Sequence, residues 1–218
     1  MSQDLAKKTP IEMRNDLVAE RVIKALASRH MEGYYAATKE DALKVAISLI
    51  PEGSSVGWGG SASVLEIGLK DRVCQGNYQV IDRDKAASKE EFVELERQCL
   101  LADVFLMGTN AVTEDGQLVN MDGVGNRVAA LCFGPHSVIV VAGMNKLVHS
   151  LEDGISRVRH IAAPVNALRF PGETPCRQTG VCGDCRKEDC ICSQLVVTRG
   201  CKPFGRIKVI LVGENLGY

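Results

Sequence analysis

Ser55-Val56-Gly57-Trp58-Gly59-Gly60-Ser61-Ala62-Ser63-Val64-Leu65-Glu66 is the stretch whose reading decides the architecture. It reads as a short apolar strand, a glycine turn and a helix that begins near Ser61 or Ser63, because Ser63 stands three residues ahead of Glu66 in capping-box spacing. The order then recurs. Residues 78–81 are strand-like, Ser88-Lys89-Glu90-Glu91 is a capping box, Phe92, Leu95 and Cys99 make a helical stripe, and Val104-Phe105-Leu106-Met107-Gly108 is another apolar strand. Alternation of this kind predicts an α/β fold with a mostly parallel open sheet flanked by helices.

Thr9-Pro10-Ile11-Glu12 offers a capping hydroxyl, a proline at the first helical position and a glutamate three residues after the cap. The helix it opens buries Val18, Val22, Ala25 and Leu26, and Gly33 marks its end. A second helix opens at Thr38, with Leu43, Ala46, Ile47 and Ile50 as its apolar face, and stops at Pro51 and Gly53. Both helices fall within residues 9–50. Downstream, Ala111-Val112-Thr113 and Gln117-Leu118-Val119-Asn120-Met121 alternate around Glu114-Asp115-Gly116, a hairpin signal. A helix over 124–133 leads to the continuous apolar run 138–142, expected as a central strand. Leu151, Ile155, Val158 and Ala162 form a last stripe that Pro164 should kink or end, and 207–212 supplies a late strand. The 218 residues read as a single domain.

Composition narrows the function. Hydrophobic residues make up 45% and charged residues 24%, which excludes a disordered chain. Twenty-six basic against 27 acidic residues, scattered, give no footprint for a nucleic-acid backbone. No run approaches the roughly 18 apolar residues of a membrane span, and the charges in the first eight residues do not suit a signal peptide, so a cytoplasmic protein is expected.

Three segments hold candidate chemistry. In the loop Gly59-Gly60-Ser61 the glycines let backbone approach a ligand, and helix-start N–H groups favour anions; as a bare tight turn it would do neither. A second segment runs Gly108-Thr109-Asn110-Ala111, Glu114-Asp115-Gly116 and Asn120-Met121-Asp122-Gly123-Val124-Gly125-Asn126-Arg127. It follows a buried strand and precedes a helix, where open α/β sheets bind ligands. There Asp122 suits a base or a hydroxyl acceptor, Arg127 a two-pronged carboxylate clamp, and Asn126 a donor to carbonyl or phosphate. The plainer reading gives Asn110, Glu114, Asp115 and Asn120 to turn chemistry and Arg127 to a surface ion pair. Lys146 is a possible anion partner or simply a solvated charge, and the four histidines form no legible triad.

Nine cysteines form the third signal. Cys74, Cys99 and Cys132 stand alone in apolar contexts and are expected to pack. Cys176, Cys182, Cys185, Cys190 and Cys192 crowd one segment, with Cys201 shortly after. In a reducing compartment such crowding points to a metal rather than to disulfides. The two-residue gap between Cys182 and Cys185 lets two thiolates reach one ion from a tight turn. The spacing matches neither a standard zinc ribbon nor the bacterial ferredoxin run, so zinc and an iron-sulfur cluster both remain open.

With these segments in hand, the chain resembles the lactate-utilisation (LUD) domain family. The likeness rests on Gly59-Gly60-Ser61 with Glu66, on residues 108–116, on Asp122-Gly123-Val124-Gly125-Asn126-Arg127, on Gly134-Pro135, on Ala163-Pro164-Val165-Asn166-Ala167 and on Gly213-Glu214-Asn215-Leu216-Gly217. The resemblance implies a fold like that of ribose-5-phosphate isomerase, glucosamine-6-phosphate deaminase and CoA transferases (NagB/RpiA/CoA-transferase-like). It implies a ligand cleft formed by Gly59, Gly60, Ser61, Thr109, Asn110, Glu114, Asp122, Gly125, Asn126 and Arg127, with Asp122 and Arg127 as catalytic candidates. It further implies a part in oxidising lactate to pyruvate, often beside iron-sulfur proteins. Members with a cysteine segment look like Cys176, Cys182, Cys185 and Cys192 as ligands, here within a metal-binding insertion over 174–201, for a 4Fe-4S cluster or, alternatively, zinc. The partners expected are a small carboxylate or phosphate, iron-sulfur proteins and a second copy of the chain. Two other readings stand beside this one: a nucleotide- or sugar-phosphate-handling transferase or isomerase with a structural zinc knuckle, and a non-catalytic assembly subunit.

Overall fold

A computed structural model describes residues 8–218; the reading of the first residues as unlike a signal peptide lies largely outside that range. In chain order the elements are α1 (Pro10–Ser28), β1 (Glu32–Ala36), α2 (Lys39–Ser48), β2 (Ser55–Trp58), α3 (Ala62–Glu66), α4 (Leu69–Cys74), β3 (Gln79–Ile81) and α5 (Lys89–Gln98). They continue with β4 (Val104–Gly108), β5 (Ala111–Thr113), β6 (Leu118–Asp122), α6 (Asn126–Cys132), β7 (Ser137–Gly143) and β8 (Leu147–Val148). The chain ends with α7 (Leu151–Arg157), α8 (Ala163–Ala167), α9 (Pro175–Thr179), β9 (Gln194–Thr198) and β10 (Ile207–Val212).

The alternation of strands and helices yields a six-stranded sheet in the order β1-β10-β7-β4-β2-β3, every neighbouring pair parallel. Strands β4 and β7 are buried along almost their whole length, as covered parallel strands must be. One face of the sheet packs Phe105, Met107, Val138, Val140 and Leu211 against α1 and α6; the other packs Leu106, Ile139, Val141 and Ile210 against α2, α3 and α4. A second sheet, β8-β5-β6-β9, stands beside it. Its β5/β6 hairpin turns where Asp115-Gly116 predicts, with Thr113 N donating to Gln117 O at 2.9 Å and Gly116 at φ +86°.

The capping box of α1 is present, with Thr9 N donating to Glu12 Oε2 at 2.6 Å. Its buried face centres on Asn15, Ala19, Val22 and Leu26, so Val18 and Ala25 sit at the edge of the stripe. Three expectations need correction. Gly33 does not end α1: the helix stops at Ser28, His30 turns the chain at φ +66°, and Gly33 lies inside an edge strand. A Cβ at Gly33 would stand 3.0 Å from Ile23 Cα, so glycine is there for the close approach of α1 to β1. Pro164, expected to kink or end the last helix, does not end it but follows an irregular turn. A π-helical turn over Val158–Ala162 widens the helix just ahead of the proline, which then takes a first-turn position in α8. Finally, only Cys99 of the three isolated cysteines is buried; Cys74 and Cys132 are the last residues of α4 and α6 and are exposed. No helix among the described residues is long and apolar enough to cross a membrane.

Candidate functional site

Parallel strands put their carboxyl ends on one edge, and a cleft of about 400 Å³ opens there. β2 delivers Gly60 and Ser61, β4 delivers Thr109 and Asn110, and the turn after β7 delivers Lys146. The hairpin strand β6 and helix α6 bring Asp122, Asn126 and Arg127 to the same space. Three other expected ligand residues do not line it. Gly59 supports the wall: its N–H bonds Leu106 O at 3.1 Å, and a Cβ on it would come within 3.3 Å of Arg127 Cγ. Gly125, at φ +86°, is the turn into α6. Glu114 points away at the hairpin turn, 3.5 Å from Arg21 and 3.4 Å from His149, because the tight β5/β6 turn carries it to the far end of its strand.

Arg127 is buried and fully occupied. Nε and Nη2 donate to Asp122 Oδ1 at 2.9 and 2.6 Å, Nη1 donates to Gly108 O at 3.0 Å and to Asn120 Oδ1, and Nη2 also reaches Asn110 Oδ1 and Met121 O at 2.9 and 3.0 Å. All five guanidinium N–H groups therefore have protein acceptors. Asp122 Oδ2 accepts Val128 N at 2.9 Å. The pair ties β4, β6 and α6 together, which is a positioning arrangement and not the open carboxylate clamp the sequence suggests. One consequence falls on Asn110. Its Oδ1 takes Met121 N as well as Arg127, which fixes the amide so that Nδ2, with no protein acceptor among the described residues, is the donor left over.

Lys146 is the residue that sequence reasoning undervalued. It is 4% exposed yet lines the cleft, and Nζ bonds Ser63 Oγ at 2.8 Å. Burial, then the charges of Arg157 and Arg127, bring its ammonium down to about 7, with Glu66 opposing. A usable signal existed: Lys146 follows the carboxyl end of β7 much as Asn110 follows that of β4. At the mouth, Arg83 pairs with Glu96 and lies over Phe92, while Arg169 lies over Phe170 and Lys89 completes a cationic rim. Burial pushes the Glu96 carboxyl up against the pull of Arg83.

The cysteine segment folds onto the same end of the molecule. Cys176, Cys182, Cys185, Cys190 and Cys192 all line one cavity of about 240 Å³. All are free thiols. Among the described residues no group of three or more His, Cys, Asp or Glu side chains is arranged as a metal site as it stands. The donor set nonetheless suits a thiophilic metal or cluster, five cysteines lining one cavity. Burial and then the neighbouring Cys190, Cys182 and Cys176 push the Cys192 thiol up to about 12, the electrostatic demand that a bound cation relieves. Met121 and Ile191 line both this cavity and the cleft, so one layer of side chains separates them. The strand after the cysteines, β9, pairs with β6 and was missed in the sequence; Asp122 lies opposite its Gln194.

Comparison with known proteins agrees with this architecture. No curated protein matches the chain. Among solved structures it is similar to a DUF162 family protein from Deinococcus radiodurans, at 15% identity and TM-score 0.51, over 91% of this chain and 98% of that one. Lower similarity links it to ribose 5-phosphate isomerase A from Methanocaldococcus jannaschii (22% identity, 52% and 55% of the two chains, TM-score 0.34) and to eIF2B beta from Chaetomium thermophilum (16%, 53% and 44%, 0.38). The LUD domain model matches residues 19–212, which takes in both sheets, the cleft and the cysteine segment. The chain therefore belongs to the LUD domain family.

Proposed function

We propose that this protein is a component of lactate or related organic-acid oxidation that binds a small carboxylate in the cleft and carries an iron-sulfur cluster on its cysteine segment. Family membership supports the lactate-utilisation association. The observation that carries the finer reading is the shared wall of Met121 and Ile191 between an anion-suited cleft and a five-cysteine cavity. Cys176, Cys182, Cys185 and Cys192 would hold the cluster, with Cys190 beside them. When bound, such a group supplies one-electron redox chemistry. The chain's own residues prepare the cleft: Asn110 Nδ2 is oriented as a donor, Lys89 and Arg169 attract an anion at the rim, and Asp122 with Arg127 fixes the walls.

Electron paramagnetic resonance of the anaerobically purified, dithionite-reduced protein tests the reading. A cluster signal whose g-values shift on adding lactate or pyruvate is the expected result. A signal indifferent to both acids at saturating concentration contradicts it.

A further inference from the structure

We propose that Lys146 is a carbonyl-reactive amine that condenses covalently with 2-oxo acids admitted to the cleft. Its surroundings are unlike those of an anion-binding or structural lysine. Lys146 lines the cleft, and its Nζ has a neutral hydroxyl, Ser63 Oγ at 2.8 Å, as its hydrogen-bond partner. Among the described residues no carboxylate oxygen lies within ion-pair distance of it, although 13 other pairs do form. The carboxylate whose charge favours its ammonium, Glu66, is occupied by Gly217 N at 3.1 Å. Two guanidiniums flank the amine, Arg127 from α6 and Arg157 from α7. Both are locked, Arg157 by Asn110 O at 2.6 Å and Asn145 O at 3.2 Å, so neither can move away to relieve an ammonium.

A lysine so placed is about half uncharged at pH 7, and in that fraction its lone pair is free for bond formation. A 2-oxo acid fits the remaining features better than a simple aldehyde. The rim cations Lys89 and Arg169 attract its carboxylate, and Asn110 Nδ2 can donate to it. Phe92, Val93, Val124 and Phe170 offer apolar surface for a side chain beyond the keto carbon. The step balances without an oxidant. The amine nitrogen attacks the keto carbon, the carbonyl electron pair moves to oxygen and takes a proton, and the carbinolamine then loses water. One C=O bond is replaced by one C=N bond, and the nitrogen's two protons leave with the oxygen as water.

This inference rests on the cleft being an organic-acid site and is independent of what the cysteines hold. Pyruvate with sodium cyanoborohydride, followed by intact mass and peptide mapping, tests it on the full, anaerobically purified chain. The expected result is a single reduced adduct on the Lys146 peptide, retained in Lys44→Met, which removes an exposed lysine outside the cleft, and lowered at least tenfold in Lys146→Met, with labelling of that peptide falling as pH drops below 7. Methionine suits the buried position, and a melting curve checks that the variant folds. Calorimetry with pyruvate runs in parallel. Pyruvate binding without an adduct at Lys146, or labelling spread over surface lysines and unchanged in Lys146→Met, overturns the inference while leaving the cleft reading intact. Neither binding nor adduct overturns both.

Discussion

Arg127 places Nε and Nη2 on a single oxygen of Asp122, at 2.9 and 2.6 Å, with both side chains almost wholly buried. Removing one partner of such a pair leaves a buried charge without compensation, a cost of about 3–5 kcal/mol. Arg127→Ala is therefore expected to lower the melting temperature sharply. Arg127→Lys should not rescue it, because one ammonium cannot replace a planar fork with acceptors on β4, β6 and the Asn110 loop. Thermal melts of the two variants check this; a wild-type melting temperature for Arg127→Ala would refute the positioning role.

Lys146 makes stability depend on pH. Unfolded, it holds its proton up to about its ordinary 10.5; folded, it gives the proton up near 7. Between those values the unfolded chain binds more protons, so stability rises with pH, by about 1.4 kcal/mol per unit for one proton. Lys146→Met should flatten that rise and be more stable than wild type at pH 6. Urea titrations at pH 6, 7.5 and 9 measure it, and parallel curves for the two proteins would count against the buried neutral amine.

Asn110 offers a substitution that separates binding from folding. Asn110→Asp keeps the oxygen that Arg127 and Met121 N use, but exchanges the free Nδ2 donor for an acceptor with negative charge. Pyruvate or lactate affinity should fall at least tenfold with little change in melting temperature. Calorimetry beside a thermal melt decides between this and a purely structural Asn110, for which the melt would drop and the affinity would follow it.

Five sulfurs on one cavity exceed the four that a cluster needs. Cys182→Ser and Cys192→Ser are expected to lose most of the bound metal, whereas Cys190→Ser should keep it. Metal analysis of the three variants gives the answer, and equal loss in all three would remove Cys190 from its supernumerary role.

Much of the parallel sheet was legible because β4 and β7 are buried along almost their whole length and so read as apolar runs, with β10 interrupted only at Lys208. The hairpin was legible because Asp115-Gly116 carries its own turn chemistry. Edge strand β1 was not, since Gly33 imitates a helix stop while serving the contact with Ile23. β9 was hidden behind the cysteines, and its pairing with β6 is a contact across more than 70 residues that no local pattern reports. In the site, residue types near a strand end were visible, but their hydrogen-bond saturation was not. Arg127 looked like a ligand clamp and is spent on the protein; Lys146 looked solvated and is buried.

The most direct measurement is iron, zinc and labile sulfide on one anaerobically purified sample with its visible spectrum. The account predicts a brown protein with about four iron and four sulfide per chain, the stoichiometry of a four-thiolate cluster. A colourless protein with about one zinc per chain would contradict it and make the cysteine segment a structural knuckle.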